Sequence, residues 1–573
     1  MLFGRRSGMG TILVLAAMPV LAQSVVDSAA QEQYRRQERE RALRQREERQ
    51  PDVRLPSPAV GDERVFERLF ERETPCFEIS RIALAGEEAE RFEFALRTTL
   101  ATTPPILPRC LGAHGIEAIL GRVQNAIIAA GFVTTRVLAA PQDLKTGRLE
   151  FTVIPGRVRA IRFADGSNPR ASLAGAFPIR AGDLLNLRDI EQGLENLKRA
   201  PTVEADIQIL PADTPGESDL VIAWKQAFPL RVTLSADDAG ARATGKNQGG
   251  VTLSADNPLG LNDLFYLSVN RDLGNGANDK RGTRGHTLHY SVPYGYWTLG
   301  MTAGRHDYHQ SVAGINQAYR YSSTGNHAEI KLSRLIHRDA VRKTTASLRG
   351  FVKSSRNYID DAEIEVQRRR MAGWEAALAH REFIGAASVD ASLAWRQGTG
   401  ARGALHAPEE PFGEGTARPR MVLADAALNH PFALGGQRLR FNAVWRAQWN
   451  RTPLVPQDRF AIGGRHTVRG FDGESVLSAE RGWLLRNDLG WALGDSSQEL
   501  YFGIDHGRVG GASADLLVGR KLSGAVLGLR GGVSGIGGMS SFNYDLFVGQ
   551  PVKKPEGFKT ARTMAGFNLN WTF

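Results

Sequence analysis

The chain has 573 residues, 42% of them hydrophobic and 23% charged, and is therefore long enough to form several domains. Its net charge of +11 would suit a nucleic acid partner, but the basic residues are dispersed and no zinc-finger, RRM or basic-zipper pattern occurs. No run of 18 apolar residues follows the N-terminus, which argues against a transmembrane helix. We therefore expect no nucleic acid binding and no helical membrane anchor.

Residues 1–22 are predicted to form a secretory signal peptide. Arg5 and Arg6 give it a positive start, a mostly apolar stretch follows, and Ala22 fits the small-residue rule for cleavage. Export places Cys76 and Cys110, the two cysteines of the chain, in an oxidising compartment. One disulfide between them is the simplest prediction. Two distant thiols without a nearby histidine pair make a poor metal site, so no metal is expected.

Residues 23–50 are predicted to form a charged helix. The part from residue 28 to 50 lacks glycine and proline, and its arginines and glutamates fall at i,i+3 and i,i+4 spacings that support a helix. It has almost no apolar stripe and cannot dock on an ordinary core. Two interpretations remain open, namely a solvated arm or a helix inside a polar, water-filled space. Prolines end it, and residues 51–73 are predicted to be a linker.

Two similar segments follow, at residues 74–157 and 158–227. Each shows the order strand, two helices and two strands, and the helices carry apolar residues at helical spacing. A repeated order of this kind predicts two small α+β domains in tandem. Their exposed sheet edges would suit the capture of an extended peptide by strand addition.

Residues 228–573 show strand patterns alone, separated by turns rich in Gly, Asn and Asp. We estimate about sixteen strands, close to the even-numbered sets of ~9–11-residue strands in outer-membrane barrels. The final run, residues 565–573, alternates apolar with polar or small residues and ends in Phe573. Alternation between a lipid face and a wet face predicts a closed transmembrane barrel, with a soluble sandwich as the alternative.

A long Gly-rich loop, residues 452–480, interrupts the strands of this half. Its central motif reads Val468, Arg469, Gly470, Phe471. The glycines allow close approach of backbones, and the arginine offers a fixed fork of donors to a carboxylate. The candidate partner is Asp505, on a downstream strand, while a solvated arginine in a surface loop is the alternative. The motif residues of that strand are Phe502, Gly503, Asp505 and Gly507.

No catalytic constellation is found, so the protein is not predicted to be an enzyme and no cofactor is expected. Residues 240–247 have the spacing of a phosphate-binding loop, but Asn247 replaces the Ser or Thr that binds Mg²⁺. The stretch also joins two predicted strands rather than a strand and a helix. A zinc motif of the His-Glu-x-x-His type is absent from the sequence.

The order of export signal, charged helix, tandem α+β domains and barrel resembles the outer-membrane transporters of two-partner secretion, the hemolysin-activator type (TpsB). Residues 468–471 match the diagnostic loop motif of that family, Val-Arg-Gly followed by Tyr or Phe. The strand motif around Asp505 matches as well, and residues 256–263 and 290–295 are similar to family sequences. The resemblance covers essentially the whole mature chain, although only some members carry the cysteine pair.

The resemblance implies two POTRA domains, a barrel of sixteen antiparallel strands, and a plug helix in the lumen. The helix residues expected to contact the lumen are Arg35, Arg36 and Arg39. Arg469 would be held against Asp505 inside the barrel, and Phe573 would serve as a signal for membrane insertion. The POTRA domains would recognise the N-terminal secretion domain of an unfolded exoprotein, which would pass through the barrel to the cell surface without ATP.

The expected location is the bacterial outer membrane, with the POTRA domains in the periplasm and the protein as a monomer. Expected partners are the exoprotein (a hemolysin, an adhesin or a contact-dependent inhibition toxin), outer-membrane lipid and lipopolysaccharide, and the barrel-assembly machinery during biogenesis. An insertase of the same superfamily would usually have more POTRA domains and no plug. A passive porin would lack the tandem and the loop motif, and a lipase is a more distant alternative.

Overall fold

The computed structural model describes residues 30–48, 51–56, 73–101, 106–167, 170–274, 280–535 and 540–573. The predicted signal peptide and residues 57–72 of the predicted linker lie outside the described residues. Among the residues described, no helix combines the length and apolar character needed to cross a bilayer. The first helix, α1, covers residues 30–47.

The first small domain packs two helices against a three-stranded sheet. Its elements are β1 (Phe77–Ile79), β2 (Arg81–Gly86), α2 (Ala89–Leu100), β3 (Arg109–Leu111), α3 (Ala113–Ala129), β4 (Arg136–Leu138) and β5 (Arg148–Ile154). Strand β5 pairs parallel with β2 and antiparallel with β4. Helical positions such as Phe92 and Ile119 and strand positions such as Phe151 are fully buried between these layers.

A second, two-stranded sheet in this domain pairs β1 with β3. The disulfide between Cys76 and Cys110 joins the chain at these two strands. The predicted order had no strand between the helices, and that omission was wrong. Three residues are too few for an alternating pattern to be visible in the sequence.

The second small domain repeats the arrangement. Its elements are β6 (Arg157–Phe163), α4 (Leu173–Ala176), α5 (Leu187–Leu197), β7 (Val203–Pro211) and β8 (Glu217–Gln226). Strand β8 pairs parallel with β6 and antiparallel with β7. Helix α5 begins at Leu187 because the side chain of Asn186 accepts a hydrogen bond from the backbone N–H of Arg188. Ile190, Leu194 and Leu197 of α5 form its buried apolar stripe.

Strands β9–β15, β17–β20 and β23–β27 form a closed barrel of sixteen antiparallel strands, and β27 pairs with β9 to complete it. In chain order they are β9 (Leu230–Asp237), β10 (Gln248–Asp256), β11 (Leu264–Asp272), β12 (Gly282–Tyr294), β13 (Trp297–Ala313), β14 (Ala318–Arg338), β15 (Arg342–Ile359), the two-residue extension β16 (Ala362–Glu363), β17 (Arg369–Ile384), β18 (Ala387–Thr399), β19 (Arg420–Leu434), β20 (Gln437–Asn450), β21 (Phe460–Ile462), β22 (Leu477–Ala479), β23 (Arg481–Ala492), β24 (Glu499–Gly510), β25 (Lys521–Ser534), β26 (Ser541–Lys553) and β27 (Met564–Thr572). Closure leaves no unpaired sheet edge. The predicted fold class is confirmed.

The two ends of the barrel differ. At one end the turn between β12 and β13 touches the second small domain, where the Gly295 N–H donates to the Gly175 carbonyl at 2.8 Å. At the other end β13, β14 and β15 are long, with 17, 21 and 18 residues. Tyr308 and Tyr321 form a small buried cluster there. The small domains therefore occupy the end opposite the tall hairpins.

Candidate functional site

The loop between β20 and β23 folds back into the barrel. Its base is the hairpin of β21 and β22. At the far side of the hairpin the Thr467 hydroxyl accepts hydrogen bonds from the N–H groups of Gly463 and Gly464, at 3.1 and 3.0 Å. Gly470 has φ +91°, and a Cβ there would lie 2.4 Å from the Gln550 carbonyl oxygen. Only glycine fits directly after Arg469.

Arg469 is held by two carboxylates on the barrel wall. Its Nε and Nη2 donate to the two oxygens of Asp505, each at 2.8 Å, and its backbone N–H donates to the same carboxylate at 2.9 Å. Nη2 also donates to Asp488 Oδ1 at 2.5 Å. Arg469 is 4% exposed and Asp505 is fully buried. The two-point fork fixes the direction of the arginine as well as its position.

The wall under the loop is lined with glycine. On β24, a Cβ at Gly503 would lie 2.8 Å from Arg469 Nη2, and one at Gly507 would lie 2.8 Å from Val468 Cγ2. On β25, a Cβ at Gly524 would come within 1.8 Å of the Arg469 carbonyl oxygen. The loop backbone therefore packs directly against the sheet. A side chain at any of these three glycine positions would clash with the loop.

Sequence reasoning found part of this wall. Gly503, Asp505 and Gly507 alternate along one strand and so share its inner face. Phe502 points the other way, is 48% exposed, and does not reach the loop. The sequence analysis missed Asp488 and Gly524. Both lie on other strands, and only the pairing register brings them beside Arg469.

Apolar packing holds the same loop. Val468 and Phe471 are fully buried. The ring of Phe471 meets that of Phe558 edge to face, with 5.7 Å between centroids. The following residue, Asp472, accepts hydrogen bonds from the Ala561 N–H at 2.9 Å and from the Thr560 hydroxyl at 3.1 Å. The segment between β26 and β27 therefore closes over the tip of the loop.

Helix α1 lies in the lumen and contacts the wall through polar groups. Of the three arginines predicted to reach the lumen, Arg35 donates to the Gly473 carbonyl of the loop, and Arg36 donates to His306 Nδ1 at 2.7 Å. Arg39 lines a cavity between the helix and the wall. The remaining helix–wall contacts within hydrogen-bond distance include Arg41 with Asp425, Arg44 with Glu329, Arg46 with Asn570, Glu32 with Thr244, Glu38 with Arg446 and Glu47 with Ser254.

The buried positions of α1 are themselves charged. Glu32 and Glu47 are 4% and 3% exposed, and no α1 residue belongs to a buried apolar cluster in the described part of the chain. The missing apolar stripe noted in the sequence has its explanation here. A helix enclosed by the polar inner face of a barrel needs polar groups on every side.

Just beyond α1, residues 51–56 are fixed between the second small domain and the barrel. The N–H of Val53 donates to Glu195 at 2.8 Å, and the N–H of Leu55 donates to Glu191 at 2.9 Å. Arg338, at the end of β14, bridges both carboxylates at 2.9 and 3.1 Å and donates to the Val53 carbonyl at 2.7 Å. We call Glu191, Glu195, Arg338 and the segment 51–56 the periplasmic junction.

Asp52 adds a second attachment to this junction. It accepts from Lys343 at 2.7 Å and from Arg381 at 2.6 Å. Burial alone would raise the pKa of Asp52, but these two cations outweigh it and hold that pKa below its usual value. Asp52 therefore stays charged through the neutral range. Sequence reasoning assigned residues 51–73 to a linker and had no signal for partners so distant in the chain.

Phe573, predicted as an insertion signal, lies at the closing seam of the barrel. Its N–H donates to the Val232 carbonyl at 2.9 Å, and its carbonyl accepts from the Val232 N–H at 3.2 Å. Its ring packs against Trp571, 4.5 Å between centroids. The geometry places it in the last β27–β9 contact, and its role in insertion stays a prediction.

Two small α+β domains before a closed barrel, with a loop and a helix inside it, define an outer-membrane transporter with periplasmic POTRA domains. The family model described as haemolysin secretion/activation protein ShlB/FhaC/HecB matches residues 216–531. A ShlB-type POTRA model matches residues 77–156, and a second POTRA model matches residues 157–211. The chain belongs to the ShlB/FhaC/HecB family of TpsB transporters.

Known relatives support the same assignment over nearly the full length. The chain is 38% identical to the outer membrane transporter CdiB-2 of Burkholderia pseudomallei, covering 98% of both chains. It is 25% identical to the hemolysin transporter protein ShlB of Serratia marcescens, over 70% of this chain and 71% of that one. The structure of CdiB from Acinetobacter baumannii superposes with a TM-score of 0.82 at 29% identity, covering 96% and 99% of the two chains. The predicted family and outer-membrane location are confirmed.

Proposed function

We propose that the protein binds the N-terminal secretion domain of an unfolded partner exoprotein in the periplasm and passes that partner through the barrel to the cell surface without ATP. One observation carries the proposal. The lumen is filled by α1, a helix held by polar contacts, next to a loop that is firmly anchored. Such a helix can leave the lumen without exposing an apolar surface to water.

The POTRA domains supply edges at which an extended chain can bind. In the second domain β7 is an edge strand of nine residues, paired only with β8 in the described structure. A partner segment can add to such an edge through backbone hydrogen bonds, with alternate side chains giving specificity. Capture of this kind suits a substrate that arrives unfolded.

The similarity to CdiB transporters bears on the identity of the cargo. Identity to CdiB-2 is 38% over almost the whole length, whereas identity to the hemolysin transporter ShlB is 25% over 70% of this chain. We infer that the exoprotein resembles the partners of the CdiB relatives more than that of the hemolysin transporter. Among the three expected classes, we propose a contact-dependent inhibition toxin.

Cross-linking of the helix to the wall tests the proposed movement. Arg41 and Asp425 touch, with 2.6 Å between Nη2 and Oδ1. The sequence has two cysteines, and these form the disulfide, so the double variant Arg41→Cys with Asp425→Cys introduces the sole free thiols. A bis-maleimide that joins them should stop the surface appearance of the co-expressed exoprotein.

The matched controls are the two single-cysteine variants treated with the same reagent, which should secrete normally. Undiminished secretion by the cross-linked double variant would show that the helix does not need to leave. Energy use is tested separately in proteoliposomes. An unfolded exoprotein fragment carrying the secretion domain should enter vesicles without nucleotide, and dependence on added ATP would overturn that part of the proposal.

A further inference from the structure

Four cations gather on the outer face of the barrel, at the end remote from the POTRA domains. Arg481 begins β23, Arg508 lies near the end of β24, Lys521 begins β25 and Lys553 ends β26. All four are exposed. We call them the outer-rim cations.

The strand register brings these charges together. Arg508 and Lys521 are direct partners across the β24–β25 pair, and Arg481 is opposite Gly510, two residues beyond Arg508. Lys553 is opposite Ser523, two residues from Lys521. Like charges directly opposite on neighbouring strands destabilise a sheet. An anion from outside the chain would relieve that repulsion.

No carboxylate of the described residues forms an ion pair with any of the four. The nearby Asp515 is occupied by Arg520. Elsewhere on the same rim the pattern is different. Arg284 of β12 and Arg305 of β13 both bind Asp307, at 3.3 and 3.2 Å. Those two cations share a carboxylate within the chain, whereas the outer-rim cations form no ion pair with a carboxylate of the described residues.

Their height on the barrel is that of lipid headgroups. Ile504, four residues below Arg508 on the same face of β24, is 50% exposed, and Leu527 on β25 is 48% exposed. Four residues along a strand correspond to about 13 Å. Exposed apolar side chains in this row face the acyl layer, so the cations stand at its outer boundary.

Tryptophans mark the same boundary. Trp449 and Trp483 line a groove on the rim together with Arg481 and Arg508. Tryptophan rings concentrate at the interface between acyl chains and headgroups. A groove that offers both indole rings and guanidinium groups suits a ligand with an apolar body and a phosphorylated head.

We propose that the outer-rim cations bind the phosphate groups of a phosphorylated outer-leaflet lipid, the lipid A portion of lipopolysaccharide. Its acyl chains lie along the apolar row that contains Ile504 and Leu527, and its phosphates lie between Arg508, Lys521 and the neighbouring cations. The inference rests on the outer-membrane location and not on the secretion role. Either can fail without the other.

The test measures binding of diphosphoryl lipid A to the purified full-length protein in detergent by native mass spectrometry. The double variant Arg508→Ser with Lys521→Ser should bind about five-fold more weakly for each cation removed. Lipid A without its phosphates should bind the wild-type protein weakly. The matched control, Arg284→Ser with Arg305→Ser, should keep wild-type affinity because both arginines already pair with Asp307.

Correct folding of each variant is checked by the heat-dependent gel mobility of the barrel. If Arg508→Ser with Lys521→Ser does not fold, Arg481→Ser with Lys553→Ser replaces it with the same expectation. Unchanged affinity in a folded variant would overturn the proposal. So would equal binding of the phosphate-free lipid by the wild-type protein, or displacement of lipid A by inorganic phosphate at equal concentration, which would indicate a simple anion patch.

Discussion

Two segments of the same chain share the lumen, and they are held in opposite ways. The loop around Arg469 is anchored by fully buried apolar side chains, a two-point ion pair and contact with a glycine surface. Helix α1 is held by separate polar contacts around the wall, several of them partly exposed, as in Arg41 with Asp425 at 39% and 35%. Exposed ion pairs contribute little each. The loop is built into the wall, whereas the helix is held only by polar contacts, which is what the proposed release of the helix requires.

The largest expected effect comes from Arg469→Ala. Removing one partner of a buried ion pair costs about 3–5 kcal/mol, because Asp505 loses the guanidinium that binds both of its oxygens; Asp488 keeps Arg530 at 3.1 Å. We expect loss of secretion in a barrel that still inserts, measured as exoprotein at the cell surface together with heat-dependent gel mobility. Asp505→Ala should have the same effect.

Two further variants test whether the effect depends on the two-point fork. Arg469→Lys keeps the charge but loses the fork, and we expect it to fall between the wild type and Arg469→Ala. Arg486→Gln removes an arginine that stands 3.9 Å from Asp505 and takes no part in the fork, and we expect it to retain secretion. Wild-type secretion by Arg469→Ala and by Asp505→Ala would refute the anchoring role of the loop.

The next effect concerns the periplasmic junction. Arg338 is 2% exposed, and Arg338→Gln removes the cation that bridges Glu191 and Glu195. Glu191 keeps Arg188 and Glu195 keeps Lys343, so we expect a cost below about 3 kcal/mol, the cost of an unpaired buried charge. We expect the segment 51–56 to become accessible to protease while the barrel remains folded. The control is Arg342→Gln, an exposed arginine whose partner Glu382 lies outside the junction. If Arg338→Gln and the wild type resist protease equally, Arg338 is not needed to hold the segment 51–56 that follows α1.

Deleting residues 28–50 should change conductance more than stability. The helix contributes no residue to the buried apolar clusters of the described chain, so its loss leaves those clusters intact. Planar-bilayer recordings should show a larger single-channel conductance, with a thermal midpoint close to that of the full-length protein. An unchanged conductance would count against the helix as a plug.

The smallest effect belongs to a single helix contact. Arg41→Ser removes one half-exposed ion pair, worth at most about 1 kcal/mol. We expect a modest increase in the frequency of channel opening and normal secretion. A loss of secretion as complete as in Arg469→Ala would mean that the helix and the loop are not held differently after all.

The sequence predicted the architecture well because its signals are local. Alternation in residues 228–573 indicated the strands. The charged run without an apolar stripe left open a solvated arm or a helix in a polar space, and the family resemblance favoured the helix. The Arg469 and Asp505 partnership could be suggested because the glycines of the loop allow close approach and because both motifs resemble those of the family. Asp488, Gly524 and Phe558 could not be found, since their positions depend on pairing register and on a segment that folds over the loop.

The periplasmic junction shows the same limit more clearly. Glu191 and Glu195 stand one helical turn apart, a spacing that reads as an ordinary solvated face. Their partner Arg338 lies more than 140 positions away in the chain. The prolines of residues 51–56 predict a linker. The backbone of this segment is nevertheless hydrogen-bonded to Glu191 and Glu195 of the second small domain and to Arg338 of the barrel.

The height of the β13–β15 wall has a consequence at the cell surface. Strand β14 has 21 residues and, with the usual tilt, rises about 50 Å, roughly twice the ~25 Å apolar band of an outer-membrane barrel. Its upper half therefore stands in water, stiffened by Tyr308 and Tyr321, and Tyr321 donates to Gln367 at 2.9 Å. An antibody raised against this hairpin would label intact cells and would report the transporter's presence without touching its pore.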